Sequence, residues 1–100
     1  MKRTLIRYKA RPEKAQENQR LIERVFRELQ EKSPSGVRYL ALKLDDGTFV
    51  HFKVDEGEGM DPIHELEAFQ SFRSAIKDRC LEPPQASDAT IVGNYRMLND

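Results

Sequence analysis

One hundred residues suit a single domain, since domains usually run to about 100–150 residues, and residues 1–100 are expected to form one. Lysine plus arginine (17) equal aspartate plus glutamate (17), which leaves no net field to draw nucleic acid or an anionic membrane to the surface. No stretch approaches the ~20 apolar residues of a membrane span, and the basic start Met1-Lys2-Arg3 is not followed by an apolar signal core. Cys80 is the only cysteine, which rules out an intrachain disulfide or a multi-cysteine metal site and makes the cytoplasm the expected location.

In residues 4–10, Thr4, Ile6, Tyr8 and Ala10 alternate with Leu5, Arg7 and Lys9, the period of a strand. Arg11-Pro12 ends it. Over residues 13–32, Leu21, Ile22, Val25, Phe26 and Leu29 recur at helical spacing, and Ser33-Pro34-Ser35-Gly36 stops that helix. Residues 37–44 and 48–54 read as two strands joined by Asp45-Asp46-Gly47, a three-residue hairpin loop with glycine at the left-handed position. Pairing Leu44 with Thr48 puts Leu40, Leu42, Val50 and Phe52 on one face, expected under the helices. Tyr39, Ala41, Phe49 and His51 share the other.

Residues 55–59 are polar and glycine-rich and read as a loop. Asp61-Pro62 opens a second helix carrying Leu66, Phe69, Phe72 and Ile76 on one stripe, and Glu82-Pro83-Pro84 blocks its continuation. Residues 89–98 are rich in strand formers and read as the last strand, with Asn99-Asp100 a short tail.

The order β-α-β-β-α-β predicts an α+β fold of the ferredoxin-like kind: a four-stranded antiparallel sheet with both helices on one face. The other face is left bare, with Tyr39, Ala41, Phe49 and His51, Leu5 or Ile6 from the first strand and Tyr95 from the last. A patch of that kind calls for a cover, and a second copy around a two-fold axis is the economical one. A homodimer enclosing a barrel between its sheets is therefore expected, with no nucleic-acid or membrane partner.

Four stretches, Arg7-Tyr8-Lys9-Ala10-Arg11-Pro12, Gly36-Val37-Arg38-Tyr39, Asp46-Gly47-Thr48-Phe49-Val50-His51 and Pro62-Ile63 through Ala68-Phe69-Gln70-Ser71-Phe72, resemble in order and spacing the dimeric α/β-barrel family that includes the antibiotic-biosynthesis monooxygenases, their quinol-oxidising relatives and the heme-degrading monooxygenases. The resemblance covers nearly the whole chain. It implies the ferredoxin-like dimeric barrel and, by analogy with relatives working without metal or flavin, oxidation of an aromatic or quinol metabolite. Heme-degrading members rely on an asparagine, tryptophan and histidine set. This chain has no tryptophan, so neither heme nor any other cofactor is expected.

His51 is the candidate catalytic base, because imidazole titrates near neutrality and could take the proton of a phenol, leaving an anion able to meet oxygen directly. Tyr39 and Tyr95, or Asn94 in place of the latter, are candidate donors to a substrate oxygen. Phe49 is a candidate substrate wall on the His51 face, and Arg7 a candidate holder of an anionic substituent. Arg38 shares that role, a salt bridge at a sheet edge or dimer rim being the alternative for both arginines, and His64 is expected at the surface; no metal-ligand set is legible. Three functions stay open: a cofactor-independent monooxygenase, a non-catalytic small-molecule-binding or stress-responsive dimer, and a structural dimer with a filled interior.

Overall fold

A computed structural model describes residues 2–57 and 61–98. Met1, Glu58 and Gly59 of the expected loop, Met60, and the Asn99-Asp100 tail lie outside the described residues. Strand β1 (Lys2–Ala10) leads through a 3-10 turn (Pro12–Lys14) into helix α1 (Ala15–Lys32), followed by β2 (Val37–Lys43) and β3 (Thr48–Asp55). A second 3-10 turn (Pro62–Glu65), helices α2 (Glu67–Arg73) and α3 (Ile76–Arg79) and strand β4 (Cys80–Asp88) complete the fold. The sheet is antiparallel, ordered β2-β3-β1-β4, as the ferredoxin-like arrangement requires.

The hairpin register is the one the loop residues predict. Leu44 N–H donates to the Thr48 carbonyl at 2.8 Å, Gly47 takes φ 88°, and the Asp46 carboxylate accepts from Thr48 N–H at 2.9 Å. Ala41 therefore faces His51 and Leu40 faces Phe52 across β2 and β3.

The covered face, however, is the opposite of the one expected. Phe49 and His51 are buried at 1% and 2% exposure and lie under the helices with Tyr8, whereas Leu40 and Leu42 remain 43% and 49% exposed on the open face. Pairing register decides which residues share a face but not which face is covered. That choice follows from the right-handed crossover after β1 and from chain parity at its end, where Tyr8 and Ala10 point into the core.

The last strand is also displaced from its expected place. β4 is Cys80–Asp88 and carries Pro83 and Pro84, while residues 89–98 form no strand. Proline cannot donate to a ladder, but β4 is an edge strand and its register against β1 shifts between Arg7 and Lys9, where a bulge absorbs the pair. The second expected helix is broken into three pieces. Leu66 is extended and Ala75 sits at φ 59°, a left-handed conformation that ends α2 and turns the chain into α3. Its apolar stripe still reaches the core: Leu66, Phe69 and Phe72 are buried and Ile76 packs beside them.

Candidate functional site

Between the inner sheet face and the broken second helix lies a cavity of about 390 Å³. Ile6, Tyr8, Tyr39 and His51 form its floor, Phe69, Phe72 and Ile76 one wall, and Pro83, Pro84 and Ala86 of β4 the other. Lys53, His64, Arg73 and Lys77 also line it, and no acidic residue among the described residues does. The aromatic and aliphatic lining suits a largely apolar molecule, and Arg73 and Lys77 suit one bearing negative charge or an electron-rich oxygen. Three larger clefts, about 500 Å³ beside α1 and β2, about 540 Å³ beside the start of α1 and about 750 Å³ beneath residues 90–98, do not include His51 in their walls.

Below the cavity floor runs a chain of buried polar groups. Arg79 Nε donates to Asn18 Oδ1 at 3.0 Å, and Asn18 Nδ2 donates to Tyr8 Oη at 2.8 Å. Tyr8 Oη lies 2.9 Å from His51 Nε2, and His51 Nδ1 lies 2.5 Å from Tyr39 Oη. The members come from α1, α3 and three strands, and Asn18, Tyr8, His51 and Arg79 are all at most 5% exposed. Buried polar groups persist only when satisfied, so these residues hold one another in place. Phe72 packs its ring 5.5 Å from the imidazole, and Phe49 stacks on Tyr8 at 5.5 Å from the side away from the cavity.

Burial holds the His51 pKa down to about 4, with the Lys53 ammonium adding to the effect. The imidazole is therefore neutral at physiological pH. Burial also raises the pKa of both Tyr8 and Tyr39, so both hydroxyls keep their protons. Lys53 is paired with Asp61 at 3.3 Å, and His64 stands 3.8 Å from the same carboxylate and stacks on Phe69. Cys80 is buried and its thiol pKa is pushed up by that burial, the opposite of a reactive thiolate.

Of the residues singled out from sequence, His51 and Tyr39 meet at this cavity. Phe49 supports the floor from behind through Tyr8 and does not line the cavity. Tyr95 is 71% exposed in residues 89–98, and Arg7 lies exposed on the open sheet face opposite Val50, so the structure brings neither to the site. Asn94 likewise turns to its own segment, accepting from Met97 and Leu98 N–H. Arg38 does form a rim ion pair, with Glu56 at 3.7 Å, and His64 is about half exposed.

Sequence reasoning missed Tyr8, Asn18 and Arg79. Two of these left a signal: Tyr8 alternates in phase with the residues of β1 that face inward, and Asn18 lies four and seven positions before Ile22 and Val25 on the buried stripe of α1. Arg79 left none. Among the described residues no group of three or more His, Cys, Asp or Glu could hold a metal ion, and no helix is long and apolar enough to cross a membrane.

The site and sheet together define a ferredoxin-like α+β protein with a ligand-sized cavity between sheet and helices. No family model matches the chain, and no curated protein matches it. Solved structures do. A Nitrosomonas europaea protein provisionally named an antibiotic biosynthesis monooxygenase superposes with TM-score 0.72 at 15% identity, covering 90% of this chain and 88% of that one. Rv0793 from Mycobacterium tuberculosis gives 0.73 at 15% identity over 92% and 95%, and a Caulobacter crescentus protein with the same provisional name gives 0.72 at 14% over 91% and 89%. The chain therefore has the fold of the antibiotic biosynthesis monooxygenase-like proteins. At these identities the likeness establishes the fold alone.

Proposed function

We propose that the chain is a single domain whose cavity binds an aromatic or quinol metabolite and that it acts as a cofactor-independent monooxygenase. The observation that carries the reading is the Tyr39–His51 pair at the floor of an apolar cavity flanked by cationic side chains. A donor at Tyr39 favours the deprotonated oxygen of a phenol or enol, whose proton passes to solvent, and the electron-rich ring so stabilised supplies the electrons for oxygen itself: one oxygen atom of O2 enters the ring, the other leaves as water, and the ring ends as a quinone. A second reading, a non-catalytic binder using the same cavity, draws on the state of His51. A base with a pKa near 4 and both ring nitrogens engaged is poorly suited to proton abstraction at neutral pH.

Oxygen uptake with 1,4-dihydroxynaphthalene, corrected for autoxidation, tests the two readings together with ligand titration. Saturable uptake that falls at least about ten-fold in Tyr39→Phe supports the enzyme. Saturable binding without uptake leaves only the binder, and no binding at millimolar ligand defeats both.

We further propose that two copies pack through the open sheet face. Leu5, Leu40 and Leu42 are 36%, 43% and 49% exposed there, beside half-buried Val50 and Phe52, and Val92, Tyr95 and Met97 add apolar surface from residues 89–98. Such a patch is uncommon on a protein that works alone, and a stable interface should bury more than about 1,000 Å². Sedimentation is expected to give twice the chain mass and Leu42→Glu a folded monomer; a wild-type monomer at micromolar concentration overturns the dimer.

A further inference from the structure

The buried polar chain under the cavity has a direction, and the direction assigns a ligand chemistry. Arginine can only donate, so Arg79 makes Asn18 Oδ1 the acceptor and leaves Asn18 Nδ2 as the donor to Tyr8. Tyr8 Oη, already accepting, has one hydrogen to place, and His51 Nε2 at 2.9 Å is where it can go. A neutral imidazole then carries its hydrogen on Nδ1 and donates it to Tyr39 Oη at 2.5 Å. The Tyr39 hydrogen is left over, on a residue lining the cavity.

The reverse order would have Nε2–H and Asn18 both donating to Tyr8, with the Tyr8 hydrogen unpaired at 2% exposure. An unpaired buried donor disfavours that arrangement by roughly ten-fold or more in population. In the forward order the unpaired hydrogen faces space that a ligand can fill.

We infer that this chain makes Tyr39 an obligate donor, so that the cavity selects ligands presenting an acceptor oxygen, a carbonyl or the oxygen of a phenol or phenolate, over ligands that present only an N–H donor there. This rests on the reading of the cavity as the ligand site. Asn18 and Arg79 are then positioning residues: they touch no ligand, and they set which way the last hydroxyl points. Asn18→Asp is the informative change because it keeps the shape and inverts the chemistry. A carboxylate accepts from Arg79 and from the Tyr8 hydroxyl at once. Tyr8 then accepts from Nε2–H, Nδ1 accepts from Tyr39, and Tyr39 presents a lone pair to the cavity.

Long-range 1H–15N correlation on the ligand-free protein reads the tautomer directly. The wild type should show His51 protonated at Nδ1, the form less favoured by free histidine, and Asn18→Asp should show it at Nε2. Arg79→Lys, whose ammonium can also only donate, should keep the wild-type tautomer. Titration with 1-acetylnaphthalene, an acceptor, and 1-aminonaphthalene, a donor on the same ring, should give an acceptor preference of about ten-fold that Tyr39→Phe abolishes and Asn18→Asp reverses. A wild-type His51 protonated at Nε2 overturns the direction even if both probes bind. The expected tautomer with equal affinities overturns the ligand selection alone. The expected tautomer with neither probe bound overturns the selection together with the reading of the cavity as a ligand site. Because the wild-type spectrum needs no variant, a poorly folded Asn18→Asp leaves the direction decided by the wild type and by Arg79→Lys.

Discussion

Arg79→Met is expected to destabilise the protein by about 3–4 kcal/mol, a large effect for one residue on a short helix. The guanidinium is 5% exposed, and its hydrogen bonds go to neutral oxygens: Asn18 Oδ1, the Ser74 carbonyl at 3.1 Å and the Phe72 carbonyl. The last two close the end of α2, where the left-handed turn at Ala75 interrupts the helical ladder. Methionine replaces the stem and relieves the cost of burying a charge, but it strands the buried Asn18 and Phe72 acceptors, each worth about 1–3 kcal/mol when left unmade, and frees the part-buried Ser74 carbonyl as well. The contact of the guanidinium with the Phe72 ring, 5.5 Å from its centroid, goes as well. Urea unfolding checks it, with exposed Arg24→Met as a reference expected to change stability by less than about 0.5 kcal/mol. An Arg79→Met midpoint indistinguishable from that reference would mean water or relaxed backbone takes over the three acceptors.

The second large effect is a loss of stability in mild acid that depends on His51. Its pKa is near 4 in the folded protein and near 6.5 in the unfolded chain, so from about 6.5 downward the unfolded state takes up a proton that the folded state refuses. Stability therefore falls as pH falls through this window, and the drop is complete below about 4. A difference of about 2.5 units corresponds to about 3 kcal/mol. Many carboxylates begin to titrate at the lower end of the window, so the quantity to measure is the difference in unfolding free energy between wild type and His51→Gln, in which their contributions largely cancel. That difference should favour the wild type at pH 7 and shrink by about 3 kcal/mol at pH 4. A difference independent of pH would show that the imidazole is protonated in the folded state or hydrated in the site.

Local signals in the sequence were sufficient for the strands β1, β2 and β3, for α1 and for the hairpin register, because each depends on short-range physics. Alternation at residues 4–10, a 3.6-residue stripe from Leu21 to Leu29 and a glycine at φ 88° in the loop at Gly47 act within a few residues of themselves. The pairing of His51 with Ala41 and the sharing of a face by His51 and Tyr39 follow from the same register.

What required the tertiary structure were choices between locally equivalent alternatives. Both faces of the β2–β3 hairpin are apolar enough to be covered, and only the handed crossover and the parity at Ala10 select the one with Phe49 and His51. Residues 89–98 have better strand composition than Cys80–Asp88, yet the latter lies beside β1, where an edge position and a bulge remove the objection to Pro83 and Pro84. The site itself depends on contacts across long sequence separations: Asn18 with Arg79, 61 positions apart, and Tyr8 with His51, 43 apart. No periodicity encodes such a pairing. It exists because folding buries these donors and acceptors together, and a buried hydrogen-bonding group is retained only where another meets it.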